Sequence, residues 1–309
     1  MRILRHQRDK GFRAPVVALG NFDGLHQGHK AILARTIALA EETGGEPVVF
    51  TFYPHPISVV APERAPSQIT SLAERMRGLR DLGAAGVILQ RFTPSFAEIE
   101  AGAFLRDVIV GELGASGIVA GFDVTFGHGR LGTPELLESL GPELGLRVGI
   151  VSPVAAPSGK VSSSAIRRAL AAGDVTEAGR LLGRLHRVFG TVREGDRRGA
   201  TIGFPTANIL PFGGLLPPDG VYAVRVRLAG SEESLPAVAN LGTNPTFGGV
   251  GRRLEVHLFD FDRDLYGTSI EVGFAHRLRG EIRFPSVTDL VAQIESDAAQ
   301  ARDLLRDRS

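Results

Sequence analysis

The stretch Gly20-Asn-Phe-Asp-Gly-Leu-His-Gln-Gly-His29 sets the fold of the first half of the chain. It follows an apolar run, residues 15–19, that predicts a buried strand, and it precedes an apolar-periodic segment, residues 30–42, that predicts a helix. The stretch is therefore a strand-to-helix turn. In an open α/β sheet such a turn binds phosphate, because the helix N-terminus offers unpaired N–H groups and the positive end of its dipole.

Two glycines and two histidines give this turn its chemistry. Gly24 and Gly28 carry no side chain that would block close approach to the backbone. His26 and His29 are three residues apart, so on a first helical turn they share a face and both can donate to one phosphate chain. The spacing matches neither the P-loop nor the G-x-G-x-x-G turn. Two alternatives stay open: a glycine-rich turn with incidental histidines, and a zinc site, which lacks any cysteine and an evident third ligand.

Composition restricts the class of protein. At 309 residues, with 43% hydrophobic and 22% charged residues, the chain is typical of a globular protein long enough for two domains. The formal net charge of +1 predicts neither a nucleic-acid nor a membrane partner. The absence of cysteine excludes disulfides and thiol catalysis and fits a reducing compartment. Apolar runs are too short for a signal sequence or a membrane span, so we expect a cytoplasmic protein.

Strand-like and helix-like patterns alternate in the first half, which predicts right-handed crossovers and a mostly parallel sheet. We expect one domain over residues 1–184 and a second over 185–309. The predicted strands of the first domain are 16–19, 47–52, 87–90, 117–120 and 146–151, and the predicted helices are 30–42, 72–82, 96–113 and 134–140.

The pattern changes after residue 184 to short β-like segments separated by turn signals. This spacing predicts a small antiparallel barrel or a sandwich. A final helix-periodic segment, residues 286–306, predicts a helix packed on that β structure. The predicted strands are 186–192, 206–209, 221–228, 237–241, 254–259 and 269–274.

The turn resembles the His-x-Gly-His signature of nucleotidyltransferases, and the full string of residues 20–29 is similar to the prokaryotic FAD synthetase branch of that superfamily. The resemblance implies a Rossmann-like nucleotidyltransferase domain that binds ATP for attack at its α-phosphate. It implies catalytic roles for His26 and His29. It also implies nucleotide or phosphate contacts from Gly20, Phe22, Asp23, Gly24 and Gly28.

A second stretch, Val161-Ser-Ser-Ser-Ala-Ile-Arg167, precedes a helical pattern. Serines at a helix start cap its N–H groups, and they can also offer hydroxyls to a phosphate. The string resembles the Ser-Ser-Thr-x-Ile-Arg motif of the same branch. That resemblance implies that Ser162, Ser163 and Ser164 grip the triphosphate of ATP and that Arg167 takes part in catalysis. A plain serine cap is the alternative.

A third stretch, Gly121-Phe-Asp-Val-Thr-Phe-Gly-His-Gly-Arg130, follows the fourth predicted strand. It resembles the flavin-side loop of the same family. The resemblance implies flavin contacts from Asp123, Phe126 and Arg130, and a flexible turn is the alternative.

The sharpest feature of the second half is Gly203-Phe-Pro-Thr-Ala-Asn208. Thr206 and Asn208 are two residues apart, so on a strand they face the same side, and their oxygens are hard ligands suited to Mg²⁺. The string Pro-Thr-Ala-Asn is similar to the signature of riboflavin kinases. That resemblance implies a phosphate-binding loop containing Gly199, Gly203 and Pro205. The chain departs from the family at Ala200, where a basic residue is common.

The riboflavin kinase resemblance continues through Leu254-Glu-Val-His-Leu-Phe-Asp260. It implies that Glu255 is the general base, since a carboxylate near a primary hydroxyl can take its proton as the γ-phosphorus is attacked. An outward glutamate on a polar strand face is the alternative. Arg279 is expected to contact flavin or phosphate, or else to pair with Glu281.

Together these resemblances identify the chain as a member of the bifunctional riboflavin kinase/FMN adenylyltransferase family. They imply that ATP with Mg²⁺ phosphorylates riboflavin to FMN at the second domain, and that ATP adenylylates FMN to FAD at the first. Riboflavin, FMN and ATP are then the small-molecule partners. Three alternatives stay open: a single activity with the other domain only binding flavin, a flavin-responsive regulator, and a cytidylyltransferase for a lipid precursor.

Overall fold

The computed structural model describes residues 1–4, 11–157, 159–194, 202–243 and 252–306. Contacts divide the chain into two compact units, residues 1–67 with 72–163, and residues 68–71 with 164–309. The helices that follow residue 163 therefore group with the second unit. The domain boundary after residue 184 stays a prediction.

A six-stranded sheet forms the centre of the first unit. Its strands follow the order β1-β4-β3-β2-β5-β6, and every pairing is parallel, as the alternating pattern predicts. A short hairpin, β7 (Ala155–Ala156) with β8 (Gly159–Lys160), follows the sheet. The sheet strands are β1 (Arg2–Leu4), β2 (Val16–Leu19), β3 (Pro47–Tyr53), β4 (Gly86–Arg91), β5 (Gly117–Gly121) and β6 (Arg147–Val151).

One predicted helix of this unit is wrong as a single element. Residues 96–113 do not form one α-helix, because Thr93 and Glu100 each begin a new helix and the last part winds as a π-helix, Phe104–Glu112. Phe104, Leu105, Val108 and Ile109 of this π-helix are buried in the core. The α-helices are α1 (Gln27–Thr43), α2 (Pro56–Val60), α3 (Leu72–Asp81), α4 (Pro94–Ala97), α5 (Ala101–Ala103) and α6 (Pro134–Glu143).

Both faces of this sheet are covered. β2 is wholly buried, with Val17 and Leu19 in the core layer of one face and Val16 and Ala18 in the layer of the other. A strand buried on both faces reads as a continuous apolar run, which is why residues 15–19 predicted it correctly.

The sheet order places the first motif at a reversal of topology. From β2 the chain runs outward through β3 and β4, and then returns to place β5 on the other side of β2. Ligands of open α/β sheets bind outside the carboxyl ends of the strands at such a point. The turn that follows β2 therefore lies where the fold class predicts a binding site.

The second unit is a closed antiparallel barrel of six strands in the order β10-β13-β12-β11-β14-β9. Closure excludes the sandwich alternative. The strands are β9 (His186–Arg193), β10 (Ala207–Phe212), β11 (Gly220–Leu228), β12 (Leu235–Thr243), β13 (Arg252–Leu258) and β14 (Ser269–Arg279). The helices are α7 (Ser163–Ala171), α8 (Val175–Leu182) and α9 (Val287–Arg306), and α7 spans the division between the units.

Alternation along the barrel strands separates an apolar interior from a partly exposed exterior. Leu254, Val256 and Leu258 of β13 are buried, whereas the residues between them are partly exposed. The C-terminal helix α9 covers part of the exterior, packing Ala301 and Leu305 against Val221 of β11, as its periodicity predicted. Across the described ranges, no helix has both the length and the apolar character needed to cross a bilayer.

Two candidate active sites

The turn after β2 is tight and locally strained. Gly20 donates its N–H to the carbonyl of Phe50 at 3.2 Å, and the chain then adopts positive φ at Phe22 (53°), Gly24 (89°) and Leu25 (48°). Positive φ at a bulky residue is an outlier that the surrounding structure must hold in place. Burial of the Phe22 and Leu25 side chains in the core does so. The turn thus delivers His26 to the first position before α1.

His26 and His29 come together as the spacing predicted, though not as two equivalent donors. His26 is the N-cap of α1, and its Nδ1 accepts the backbone N–H of His29 at 3.3 Å. A neutral His26 therefore carries its proton on Nε2. The two rings stack with centroids 3.6 Å apart and planes 17° apart. Gly28 permits this stack, since a Cβ there would lie 3.1 Å from His26 Cε1.

Burial, together with the positive charges of His26 and Arg75, holds the pKa of His29 well below its usual value. His29 is therefore neutral at physiological pH. Its Nδ1 and the Oδ1 of Asn21 are buried and have no hydrogen-bond partner within the described residues. Buried polar atoms are rarely left unsatisfied, so two of them in one turn fit a site that receives a polar ligand.

A buried arginine that the motif does not contain holds this turn. Arg75 of α3 donates from Nη1 to the carbonyl of Asn21 at 3.0 Å, and its Nη2 lies 3.8 Å from Oδ1 of Asp23. Both charged side chains are only 2% exposed. The hydroxyl of Thr51 donates to the same Asn21 carbonyl at 3.1 Å. The signal for Arg75 in the sequence is its position on the apolar face of α3, between Leu72 and Leu79.

His55 also adjoins the turn, although its sequence context indicated no role. Its Nδ1 accepts the N–H of Ile57 and caps α2, and its Nε2 lies 3.4 Å from Nδ2 of Asn21. The segment after β3 therefore contributes a third imidazole, beside His26 and His29, to the turn after β2. Parallel neighbouring strands explain this, because their carboxyl ends meet at one edge of the sheet.

The serine stretch joins the turn through one residue. Ser163, at the start of α7, donates its hydroxyl to the carbonyl of Asp23 at 2.9 Å. Ser162 precedes the helix, and Ser164 and Arg167 lie on α7 within the second unit. The grip of these side chains on a triphosphate stays a prediction.

The three residues predicted for the flavin-side loop have different surroundings. Asp123 pairs with Lys160 at 2.6 Å, and Lys160 also lies 4.1 Å from the ring centre of Phe122. Arg130 is exposed and donates to the hydroxyl of Thr125 at 2.9 Å. Phe126 is 7% exposed and belongs to the core layer that contains Phe104. Their contact with flavin stays a prediction.

In the second unit, the register of the barrel brings the predicted base and a predicted metal ligand side by side. Glu255 of β13 lies opposite Asn208 of β10 on one side and Asn240 of β12 on the other. Directly opposed residues of an antiparallel pair have Cβ atoms about 5 Å apart and share one face. Leu254 and Val256 point into the barrel, so Glu255 and both asparagines lie on its outside. Asn240 had no role assigned from the sequence.

The segment before β10 carries the rest of this candidate site. Thr206 lies immediately before β10, Asn208 lies on it, and both are partly exposed. Gly203 has a φ of 87°, a conformation that favours glycine. Gly199 and Ala200, which belong to the predicted phosphate loop, lie outside the described residues.

Arg279 does not pair with Glu281, so that alternative is wrong. Its Nη2 lies 2.7 Å from Oδ2 of Asp297 on α9, its Nε donates to both carboxylate oxygens, and its Nη1 donates to the carbonyl of Gly280. Asp297 also accepts from Gln293 and its side chain is 5% exposed. The arginine thus ties β14 to α9, and a contact with flavin stays a prediction.

The donor set near Glu255 suits a hard cation. No group of three or more His, Cys, Asp or Glu side chains within the described ranges could hold a metal ion, and the zinc alternative gains no support from them. The hydroxyl of Thr206 and the amide oxygen of Asn208 are instead neutral oxygens. Such ligands suit Mg²⁺ that keeps several waters and substrate phosphates.

An α/β unit with a strand-to-helix turn suited to phosphate at its topological switch, followed by a barrel with a carboxylate beside neutral oxygen groups, is the arrangement of a two-domain nucleotide-dependent transferase. Comparison with known families agrees. The family model for FAD synthetase matches residues 9–165, and the model for riboflavin kinase matches residues 182–305.

Curated relatives carry both activities in one name, bifunctional riboflavin kinase/FMN adenylyltransferase. The proteins from Escherichia coli K12 and Bacillus subtilis are 39% and 38% identical over 93% of this chain, covering 92% and 91% of their own lengths. The Haemophilus influenzae protein is 37% identical over 98% of both chains. The chain belongs to the bifunctional riboflavin kinase/FMN adenylyltransferase family. It phosphorylates riboflavin to FMN through its C-terminal domain and adenylylates FMN to FAD through its N-terminal domain.

A solved structure shares this fold over nearly the whole chain. It is named a macrolide-efflux protein, comes from Streptococcus pneumoniae, and matches with a TM-score of 0.86 and 36% identity over 99% of both chains. That name belongs to the streptococcal protein alone. For this chain the match shows the common architecture.

Proposed function

We propose that the turn of residues 20–29 is the site of adenylyl transfer. A phosphate oxygen of FMN attacks the α-phosphorus of ATP, the bond from that phosphorus to the β-phosphate oxygen breaks, and pyrophosphate leaves. The attacking oxygen is already an anion, so no strong general base is needed. Catalysis then consists of positioning the reactants and stabilising the charge on the phosphates.

Three features of the turn support this proposal. The N-terminus of α1 offers its dipole, the capped His26 offers its Nε2–H, and the neutral His29 contributes an unsatisfied buried nitrogen. We place the nucleotide along the backbone of Gly20, Phe22, Asp23, Gly24 and Gly28. Ser162, Ser163, Ser164 and Arg167 are proposed to hold the triphosphate. Asp123, Phe126 and Arg130 are proposed to form the flavin side.

The kinase reaction is proposed to run on the outer face of the barrel with Glu255 as general base. Its carboxylate takes the proton of the primary hydroxyl of riboflavin as that oxygen attacks the γ-phosphorus of ATP, and ADP leaves. The observation that carries this assignment is the cross-strand alignment of Glu255 with Asn208. It places a proton acceptor next to a side chain suited to the metal and its phosphates.

Thr206 and Asn208 are the residues proposed to hold Mg²⁺, with Gly199, Gly203 and Pro205 lining the phosphates and Arg279 near flavin. When bound, the ion would neutralise charge on the ATP phosphates. The protein's own part is to orient one oxygen ligand on β10 and a second one just before that strand. Because both reactions use ATP and the chain has no cysteine, we propose that the enzyme works in the cytoplasm.

Two variants of the full chain test the assignment. Glu255→Gln keeps the shape of the side chain but removes the proton acceptor, and it should lower FMN formation by at least about a hundredfold while FAD formation from supplied FMN is unchanged. His29→Ala should lower FAD formation from supplied FMN and leave FMN formation from riboflavin unchanged. Products are separated by chromatography and identified by flavin absorbance.

Matched controls carry the same changes away from the sites. Glu233→Gln alters an exposed glutamate between β11 and β12, and His276→Ala alters a partly exposed histidine of β14 whose Nδ1 lies 3.2 Å from the hydroxyl of Thr176. Both controls should keep both activities. Full FMN formation by Glu255→Gln would contradict the assignment of Glu255 to the kinase reaction. Full FAD formation by His29→Ala would contradict the assignment of the turn of residues 20–29 to adenylyl transfer.

A further inference from the structure

A histidine with no assigned role lies on the same strand face as the proposed base. His257 follows Glu255 by two residues on β13, and the residues on either side of it, Val256 and Leu258, point into the barrel. Its side chain is therefore on the outside, next to the segment that precedes β10.

His257 makes a hydrogen bond to that segment. Its Nδ1 lies 2.8 Å from the carbonyl oxygen of Pro205. A carbonyl can only accept, so the proton of this bond is on Nδ1 of His257. The ring is held edge to face between Phe204, with centroids 5.4 Å apart, and Phe259, at 5.9 Å. Two aromatic neighbours and one hydrogen bond thus fix both the tautomer and the orientation of the imidazole.

The bond matters because the backbone ladder does not reach this segment. The pairing of β10 with β13 runs from Ala207 to Ile209 and stops there. Pro205 has no N–H, so its carbonyl is its only backbone group able to form a hydrogen bond. The side chain of His257 therefore adds a contact between β13 and Pro205, two residues before the ladder begins at Ala207. Thr206 lies between this contact and the ladder.

We propose that His257 is a positioning residue of the kinase site. By holding the Pro205 carbonyl, it sets Thr206 and Asn208 relative to Glu255, and so sets the two proposed oxygen ligands of the metal-bound ATP. This inference rests on the proposed function of that site.

The test is a series of three substitutions in the full chain. His257→Asn keeps an N–H donor at the branch position of Nδ1, His257→Gln moves the donor one bond outward, and His257→Leu removes it. We expect the KM for ATP with Mg²⁺ to rise about tenfold in the leucine variant, the size of one lost hydrogen bond. The asparagine variant should stay within about twofold of the parent, and the glutamine variant should fall between them. The KM for riboflavin should not change.

A second readout needs no substrate. Hydrogen exchange of the peptide covering residues 202–209 should be faster in His257→Leu and parent-like in His257→Asn. FAD formation from supplied FMN, measured on the same samples, is the internal control. His276→Leu is the matched control, because His276 lies on β14, three strands from β13 in either direction round the barrel.

Equal behaviour of the asparagine and leucine variants would overturn the proposal, as would an ATP KM unchanged by leucine. Faster exchange across the whole barrel in His257→Leu would also overturn it, since that result indicates a general structural role. Glu255→Gln is assayed in parallel. If it retains FMN formation, the proposed function has failed; if it is inactive while His257→Leu behaves like the parent, only the positioning role has failed.

Discussion

At the scale of single residues, the turn of residues 20–29 depends on a group that the motif does not contain. Glycines and histidines within residues 20–29 were recognisable because local spacing defines their chemistry. Arg75 was not, since it contacts the carbonyl of Asn21 from 54 residues further along the chain. Only the folded sheet brings them together. Local motifs thus predict the residues proposed to face the ligand. The residues that hold the turn in place come from distant parts of the chain and are not predictable from the motif.

We predict that Arg75→Met destabilises the first unit by about 3–5 kcal/mol, because removing one partner of a buried ion pair leaves the other charge uncompensated. Unfolding by urea, followed by circular dichroism, measures this. Arg80→Met on the same helix is the control, since Arg80 is 59% exposed and pairs with Asp81 at the surface. Its effect should be below about 0.5 kcal/mol. Equal losses in both variants would contradict the structural role of Arg75.

The low pKa of His29 predicts a pH dependence of stability. The folded pKa is depressed below the unfolded value of 6.5, so the unfolded chain binds the proton more readily. The contribution of His29 is therefore fully present above pH 6.5 and is lost as the pH falls from there toward the folded pKa. His29→Gln, which cannot titrate, should reduce the fall in stability between about pH 7.5 and pH 5.

Urea midpoints at several pH values across that range provide the measurement. His128→Gln is the control, because His128 is about half exposed and lies at the surface. A His29→Gln variant with the same pH slope as the parent would show that another group causes the dependence.

At the scale of elements, the sequence predicted which segments are helices and strands better than it predicted short edge strands or the pairing of strands. β2, with four buried apolar residues, and the C-terminal helix are found where periodicity placed them. β1 was missed, because three residues with an exposed arginine and isoleucine carry no apolar pattern. The register that aligns Asn208 with Glu255 was also not predictable, since pairing partners in a barrel are set by closure and turn geometry rather than by strand composition.

The start of α1 gives a prediction at this scale. Gly28→Ala places a Cβ 3.1 Å from Cε1 and 3.2 Å from Nδ1 of His26, which is tighter than ordinary contact, so the ring must shift relative to His29 and to the N–H that it caps. FAD formation should fall about tenfold, as expected when positioning is lost, with FMN formation unchanged. Gly179→Ala in α8 is the control, because its nearest neighbour would be at an ordinary 3.5 Å. Parent-like FAD formation by Gly28→Ala would contradict a role for the stacked pair.

The ion pair between Arg279 of β14 and Asp297 of α9 gives a second prediction at the scale of elements. Arg279→Met and Asp297→Leu should each lower the free energy of unfolding by about 2–4 kcal/mol, because each leaves a partly buried charge without its partner. The double variant should lose less than the sum of the two. Urea unfolding of all four proteins in the cycle measures the coupling. Strictly additive losses of unfolding free energy would contradict the pairing. A rise in the KM for riboflavin in Arg279→Met but not in Asp297→Leu would support the predicted flavin contact.

At the scale of the whole molecule, the chain joins two folds that we propose handle phosphate in different ways. The proposed site of the first unit is the open end of a helix after a parallel strand, and that of the second is a set of side chains on the outside of a closed barrel. The near-zero net charge agrees with this, because each site concentrates its polar groups locally instead of relying on a charged surface. Length could therefore predict two domains, and net charge could argue against a nucleic-acid or membrane partner. The small-molecule substrates and the site residues needed motifs, and the pairing of Glu255 with Asn208 needed the register.

Each reaction is proposed to have its own site, one in each unit, and FAD synthesis by complementing variants tests this separation. Riboflavin, ATP and Mg²⁺ are supplied to Glu255→Gln, to His29→Ala, and to an equimolar mixture of the two proteins, and FAD is followed over time. We predict that neither variant alone makes FAD, because one cannot form FMN and the other cannot adenylylate it, and that the mixture does. FAD made by either variant alone, or none made by the mixture, would contradict two separate sites.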